Sequence, residues 1–518
     1  MATPSCGLLL LLVLPMVQTS QPASTKPVSR PALPSPLELE RAGRIPEAIE
    51  AWRAQIQASA DDPELRLEAV RMMLRHGHLN DALDTCERAV ARFKADYDLN
   101  FTMALCCQQK AEVFQRTQGG AANAGYYLED AVTFATTAKK LRPEAREPRA
   151  VLGTALFALG RNAAAMQEAR ELVGRFPKHP GGFILVGNLL FDDYMAARRD
   201  GTLDARQLIT LANRVRSSFE TAIGLDGSRA LPYRRLGDLA AWEGKVDLAR
   251  AGYLEGLARD PARGGPLAWI DRNTAPRLRL AYYRKVLARF RELGAQPGPA
   301  LADLHWYAGL AAFAKEKWRG ARDHMRASHR FNENYLNALY YSGLASFQLG
   351  EQDAALRDFA AFAGKAPRDL AAAIDASGRA RKGYLGILSS LADRAHQQGD
   401  LAASRDLNHA LALALDDADH WNNFAFLCRE TGRYEDAYEA YLSALDRSPK
   451  DPALLNDCAL ILQYHLKRDL DQARKLYRAA IQSARTLLGD PEASAGAKAS
   501  ARQALRDARS NLQKLPDR

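Results

Sequence analysis

The sequence predicts an all-α fold, a solenoid of about eleven helical hairpins laid down in series and closed at its C-terminal end by one further helix. Three observations predict it. Apolar residues recur at i, i+3, i+4 and i+7 in blocks of helix length, the spacing that turns one face of a helix toward a core. The blocks come in pairs joined by a short polar turn that usually holds a glycine, and Gly43, Ala48 and Trp52 are answered 34 positions later by Gly77, Ala82 and Cys86. The composition, 47% hydrophobic and 25% charged over 518 residues, is ordinary soluble usage, which excludes wholesale disorder and a multispanning membrane protein.

The N-terminal residues stand apart from the pairs. Leu8 to Val17 is apolar except for Pro15; at ten residues it is too short to cross a bilayer but suits the core of an export leader. Residues 1–19 therefore read as a signal peptide ending near Val17-Gln18-Thr19 or Ser20, which implies a secreted or periplasmic protein. The leading MATPSCG lacks the Lys or Arg that such leaders carry, and an uncleaved membrane anchor is the alternative. Residues 20–36 are rich in Pro, Ser and Thr and read as a tether.

Residues 37–263 read as a first array of six hairpins. Asp62-Pro63 supplies an N-cap and a proline at the first helical position, and Asp451-Pro452 repeats the device. The third hairpin, from Asn100 to Pro143, carries about fifteen extra residues around QRTQGGAANAG, expected as an exposed loop. Asn100-Phe101-Thr102 matches a glycosylation acceptor, but by chance, because it falls on a predicted helix. In the fourth, Gly153, Gly160, Ala165 and Pro177 keep the spacing. The fifth has about sixteen added residues, expected to lengthen its helices. Tyr233, Gly237, Gly244, Ala249, Tyr253, Gly256 and Pro261 mark the sixth. Residues 264–301 break the period and read as a basic spacer around one long helix, the expected joint.

A second array spans 302–487. Gly309, Ala321 and Met325 are followed in strict tandem by Gly343, Ala355 and Phe359, then by a short spacer to about Lys382. The ninth hairpin holds Leu391, Ala392, Ala395 and Gly399. The tenth, Trp421 to Pro449, is the clearest: Trp421, Phe424, Ala425 and Cys428 form one helical face, Gly432 interrupts, and Ala437, Tyr441, Ala444 and Leu445 form the next. In the eleventh, the second helix (Ala473, Tyr477, Ala480, Ile481) sits two residues late. Residues 488–518 read as a capping helix.

At Trp421, Ala425, Gly432, Ala437, Tyr441, Ala444 and Pro449 the tenth hairpin resembles a tetratricopeptide repeat, and the resemblance extends over about Leu37 to Leu487. It implies a right-handed superhelix whose groove binds a peptide or another protein. In that family the inner groove is lined by residues of each first helix one place, and about two turns, after the site Trp421 occupies. Carried to the sixth to eighth hairpins, this selects Arg234 and Trp242, Trp306 and Phe313, and Tyr340 and Phe347 as a peptide-binding wall. The groove is either open or filled by the spacer helix. Members that grip a C-terminal carboxylate use lysine and asparagine there; this chain has Arg234 and Asp238, Trp306 and Leu310, and Tyr340 and Leu344, so that activity is not implied.

No metalloprotease, phosphate-loop, dinucleotide or nucleophile-elbow motif occurs, and no stretch of catalytic-domain length is left over from the hairpins, so the chain reads as a non-catalytic scaffold without cofactor. His76-Gly77-His78 has no carboxylate or cysteine partner fixed by spacing and implies no metal site. Cys86, Cys107, Cys428 and Cys458 fall on apolar faces, with Cys106 adjacent, as small core residues. The net charge is +10. Between Arg272 and Arg291 there are seven basic residues and one face of apolar ones, with no acid after Arg272. Arg277, Arg279, Arg284, Lys285, Arg289 and Arg291 are therefore candidates for an anionic partner, an acidic polymer or lipid headgroups, as an alternative to the peptide groove; export would disfavour nucleic acid. A further alternative is a regulatory or assembly subunit of a separately encoded envelope enzyme or secretion system.

Overall fold

The computed structural model describes residues 34–59, 61–115, 120–261 and 265–516. The proposed leader and most of the tether lie outside them. The described residues are helical throughout, with no strand and no helix long and apolar enough to cross a membrane. By internal contacts the chain forms two compact units, Met1–Glu168 and Ala169–Arg518, so the division falls in the fourth hairpin and not at 264–301.

Helices pair with their sequence neighbours. In the first unit Pro36–Arg41 lies on Ile45–Ala58, Pro63–Arg75 on Leu79–Arg92, and Tyr97–Gln115 on Ala121–Leu141. In the second, Pro180–Asp200 lies on Ala205–Leu225 and Ala230–Trp242 on Val246–Arg259. The pairs Leu301–Phe313 with Trp318–Phe331, Leu336–Gln348 with Gln352–Lys365, Arg381–Gln397 with Leu401–Leu415, and Ala418–Glu430 with Tyr434–Arg447 follow. Pro452–Leu460 with Leu470–Gly489 comes next, and Ala495–Gln513 packs on both of these.

What lets two helices pair so closely is a small residue on the first under a large one on the second. A Cβ added to Gly237 would lie 2.7 Å from the Tyr253 ring, one on Gly309 2.8 Å from Met325, and one on Gly343 2.7 Å from Phe359. The partners are sixteen residues apart in each case, the same interval that joins the buried Ala425 and Tyr441. At these glycines the approach leaves room for hydrogen alone, and at Ala425 for a methyl, while the large side chain opposite fills the space between turns.

The turn within a pair is equally regular. In the tenth hairpin the N–H of Gly432 donates to Arg429 O (3.0 Å) and that of Arg433 to Cys428 O (2.8 Å), closing the helix with a left-handed residue, Gly432 at φ +76°. Gly43, Gly77, Gly160, Gly244, Gly350 and Gly399 take the same conformation. The seventh hairpin has Glu316 there, at φ +54°.

Four expectations are corrected. The extra residues of the third hairpin are not mainly a loop: Ala121–Leu141 begins inside them, because an Ala-rich run propagates a helix once started. The spacer is two helices, Gly265–Asn273 and Pro276–Glu292, since Pro276 cannot continue the first helix but suits the start of the second. Pro276–Glu292 packs on both Val246–Arg259 and Leu301–Phe313, so the region is a packed layer of the second unit. The short spacer before Lys382 contains the helix Pro367–Asp375. The fifth hairpin did lengthen, both helices reaching 21 residues. The two-residue lag in the eleventh is absorbed by a π-helical turn, Ile461–Leu466, and by Lys467 and Asp469 in left-handed conformations.

Cys86, Cys106, Cys107, Cys428 and Cys458 are all buried free thiols. Asn100 is buried, and its amide donates to Lys94 O (3.0 Å) and Asp96 O (2.6 Å), a capping role that leaves no acceptor for a glycan.

Two substitutions separate these constraints. Gly432→Ala meets nothing within 4 Å, so its expected cost of about 1–2 kcal/mol in a denaturant titration is the left-handed backbone alone. Gly343→Ala must displace the buried Phe359 ring, and a loss of about 1–3 kcal/mol is expected although its φ is ordinary.

Candidate functional site

Trp306 and Phe313 stand seven residues apart on Leu301–Phe313 and so share a face, two turns apart. The next hairpin sets Tyr341 against both, edge-on, with ring centroids 5.6 Å from Trp306 and 5.2 Å from Phe313. Tyr340 lies at the base, 6.0 Å from Tyr384 of the helix Arg381–Gln397. These rings line a recess of about 650 Å³, with Asn337, Ser377 and the pair Arg279–Asp271 (3.2 Å) at its border. Trp306, Tyr341 and Phe313 are half-buried. The indole N–H of Trp306 has no acceptor among the described residues. The buried Tyr340 hydroxyl has no hydrogen-bond partner among the described residues, while neighbouring Ser377 gives its proton to Ile374 O (2.5 Å). Burial, then the neighbouring Tyr384 and Tyr341, push the Tyr340 phenol well above its ordinary range, so it stays a neutral donor.

The recess continues. Trp306, Asn337 and Ala373 are shared with a second concavity of about 680 Å³ that also holds Asn334, Tyr335 and Asp369. Asp369 in turn lines a third, of about 590 Å³, which reaches Trp421. In this last, Arg405 pairs with Asp406 and Arg433 with Asp436, both at 2.7 Å, and His409 stacks on Phe424 at 4.1 Å. Burial holds His409 below its ordinary pKa. The three adjoining concavities make a groove walled by aromatic rings and by charged groups, of which Arg279, Arg405 and Arg433 are paired.

Of the six wall residues selected from sequence, Trp306, Phe313 and Tyr340 come together in the recess. Tyr340 is its buried floor instead of an exposed wall, because Pro367–Asp375 and Tyr384 cover that side. Arg234 is also buried: its stem packs on Gly256, where a Cβ would lie 2.5 Å away, and its guanidinium pairs with Asp260 at 3.2 Å. It is a packing residue. Trp242 is 49% exposed under the Arg198 guanidinium, and Phe347 is half-buried; neither lines the recess. The spacer helix does not fill the groove but contributes Pro276 and Arg279 to its border. Tyr341, Asn337 and Tyr384 were missed. Tyr341 was legible as the neighbour of Tyr340, but Tyr384 lies outside the repeat register and carried no signal.

The six anion candidates divide. Arg279 is held by Asp271, and Arg289 by Glu255 and Glu292, each at 3.1 Å. Arg277, Arg284, Lys285 and Arg291 are exposed and have no ion pair among the described residues. No group of three or more potential metal ligands occurs among those residues either; His76 instead meets Glu40 at 2.9 Å and His78 meets Asp81 at 3.4 Å.

Residues 418–451 match the family model of the tetratricopeptide repeat. The chain carries a tetratricopeptide repeat. No curated protein sequence matches it. Similar solved structures include a tetratricopeptide repeat protein from Parabacteroides merdae, 14% identical over 60% of this chain and 95% of that one, with a TM-score of 0.34. A thermophilic TPR protein of Thermus thermophilus is 15% identical over 46% and 99%, with a TM-score of 0.25. Human IFIT1, solved as a dimer with m7Gppp-AAAA, is 14% identical over 79% and 80%, with a TM-score of 0.33.

His305 Nδ1 lies 3.1 Å from His324 Nδ1, a contact in which one ring donates and the other must present an unprotonated nitrogen, so the two rings cannot both be charged. Burial, then the charges of His324 and Arg330, pull His305 down to about 4. Because the unfolded chain takes up this proton first, the contribution is complete above about pH 6.5 and is lost as pH falls toward 4. Denaturant titrations should therefore lose stability between those pH values, on the order of 1–3 kcal/mol for this group, and His305→Gln should flatten that part of the profile. At the floor of the recess, Tyr340→Phe should change stability by less than about 1 kcal/mol, whereas Tyr340→Ala should cost about 3 kcal/mol or more.

Proposed function

We propose that this chain is a non-catalytic interaction scaffold that takes an extended segment of a partner protein in the groove running from Trp306 to Trp421. The observation that carries the reading is the half-buried set of Trp306, Phe313 and Tyr341 rings around a recess of about 650 Å³, with an indole donor on its wall that has no acceptor among the described residues. Large rings left partly wet are the side chains that dominate binding energy when a partner covers them. The continuation through Asn337 and Asp369 suits a peptide in extended conformation, whose backbone needs amide and carboxylate partners at intervals. As a location we propose the cell envelope or exterior, on the strength of the apolar Leu8 to Val17 segment.

The test of the groove is a peptide-display selection on the full chain, repeated with Trp306→Ala. Loss of the half-buried ring should cost about 1–2 kcal/mol of stability and leave the selected peptides unbound. Peptides that bind the variant as well as the parent would place the binding surface elsewhere. For location, N-terminal sequencing of the natural protein should find a start near Ser20 or Gln21; an intact Met1 in the cytosol would remove the envelope reading.

A further inference from the structure

We propose that the groove's ligand is bipartite: an aromatic side chain that seats in the recess, followed in its own sequence by an acidic stretch that lies along a basic edge beside it. The inference rests on the groove reading above and adds the chemistry of the partner. Arg277, Arg284 and Arg291 are each seven residues apart on Pro276–Glu292, which places them in one row along the helix at intervals of roughly 10 Å. The turn of the next hairpin extends this row sideways. The Lys315 ammonium donates to the Arg277 carbonyl, and a Cβ on Gly320 would sit 3.4 Å from the Arg284 guanidinium, so the turn and the start of Trp318–Phe331 lie directly against the helix. Lys317 at the end of that turn and Arg319 at the start of Trp318–Phe331 are exposed.

The edge keeps its charge because the acids nearby are already used. Asp271 is engaged by Arg279, Glu255 and Glu292 by Arg289, and Asp323 by Arg322, which leaves Glu316 as the one acid of the turn without an ion pair among the described residues. The edge also adjoins the recess. Pro276 and Ala314 line the recess, and the next residue after each, Arg277 and Lys315, begins the basic row. A uniform polyanion would use the row and leave the rings wet; a peptide with a ring beside its carboxylates satisfies both. Guanidinium groups hold carboxylates with paired hydrogen bonds, each exposed contact being weak and screened by salt, so the row should act through its sum.

The experiment compares two labelled peptides of equal length by fluorescence anisotropy with the full chain: one tryptophan followed by six glutamates, and one tryptophan followed by six serines. The glutamate peptide should bind at least about tenfold tighter in roughly 50 mM salt, and the advantage should vanish in roughly 500 mM. Arg277→Glu with Arg284→Glu, both exposed and therefore expected to fold normally by circular dichroism, should erase the advantage and leave the serine peptide unchanged. Trp306→Ala should weaken both peptides. Equal affinity of the two peptides, or an advantage that survives the double charge reversal, overturns the proposal. So does inorganic polyphosphate or a six-glutamate peptide without tryptophan binding as tightly as the full peptide, since the edge would then act without the recess. If both peptides bind and ignore Trp306→Ala, the groove reading itself fails; if both respond to it but show no glutamate advantage, only the acidic half does.

Discussion

The second unit depends on how closely the two helices of a hairpin can approach. Gly237 under Tyr253, Gly309 under Met325 and Gly343 under Phe359 leave no room for a methyl group, and the sixteen-residue interval that separates them recurs at Ala425 and Tyr441. A contact this close sets the phase of both helices at once: the face opposite the ring is then committed to the neighbouring hairpin or to solvent. The left-handed residue in the turn holds the same phase from the other end, because its two hydrogen bonds end the first helix at one position. Stability in such an array is a sum of local pairs and their neighbours, so each hairpin tolerates its own departures.

The groove comes from those departures. Were every layer a standard hairpin, the first helices would succeed one another without interruption. Instead Pro276–Glu292 enters before the seventh hairpin, and Pro367–Asp375 after the eighth, so the two hairpins between them are flanked by helices that do not follow the repeat. The first lends Pro276 and Arg279 to one side of the recess and the second lends Ala373 and Ala376 to the other, while Tyr384 closes over Tyr340. Regular packing supplies the rings; the irregular helices give them a concavity to line.

Charge follows a related division. Within the recess and the concavity next to Trp421, some ionic groups are held in pairs, Arg279 with Asp271, Arg405 with Asp406 and Arg433 with Asp436, while Arg368, Asp369 and Glu439 have no ion pair among the described residues. Paired groups stay fixed and present both hydrogen-bond donors and acceptors to the groove. Outside, Arg277, Arg284, Lys285 and Arg291 are exposed and have no ion pair among the described residues. The buried His305–His324 pair carries none of this charge, since its burial keeps both rings neutral near pH 7.

By itself the sequence determined the class and most of the hairpins, because helix period, small residues and turn glycines are local signals that survive without knowledge of neighbours. The resemblance to a tetratricopeptide repeat also selected Trp306 and Phe313, which their spacing puts on one helical face. Tertiary structure decided the rest. Arg234 and Tyr340 occupy the same repeat position as Trp306, yet one is folded onto Gly256 and Asp260 and the other lies beneath Tyr384, because what covers a residue depends on the element stacked beside it. Tyr384 could not be found from periodicity, since it belongs to no repeat register. Likewise the basic run read as one helix with one charged face, and only the packing of Arg279 against Asp271 and of Arg289 against Glu255 separated the neutralised cations from those that remain exposed. A repeat fixes which way a side chain leaves its helix; the neighbouring layer settles whether it meets protein or solvent.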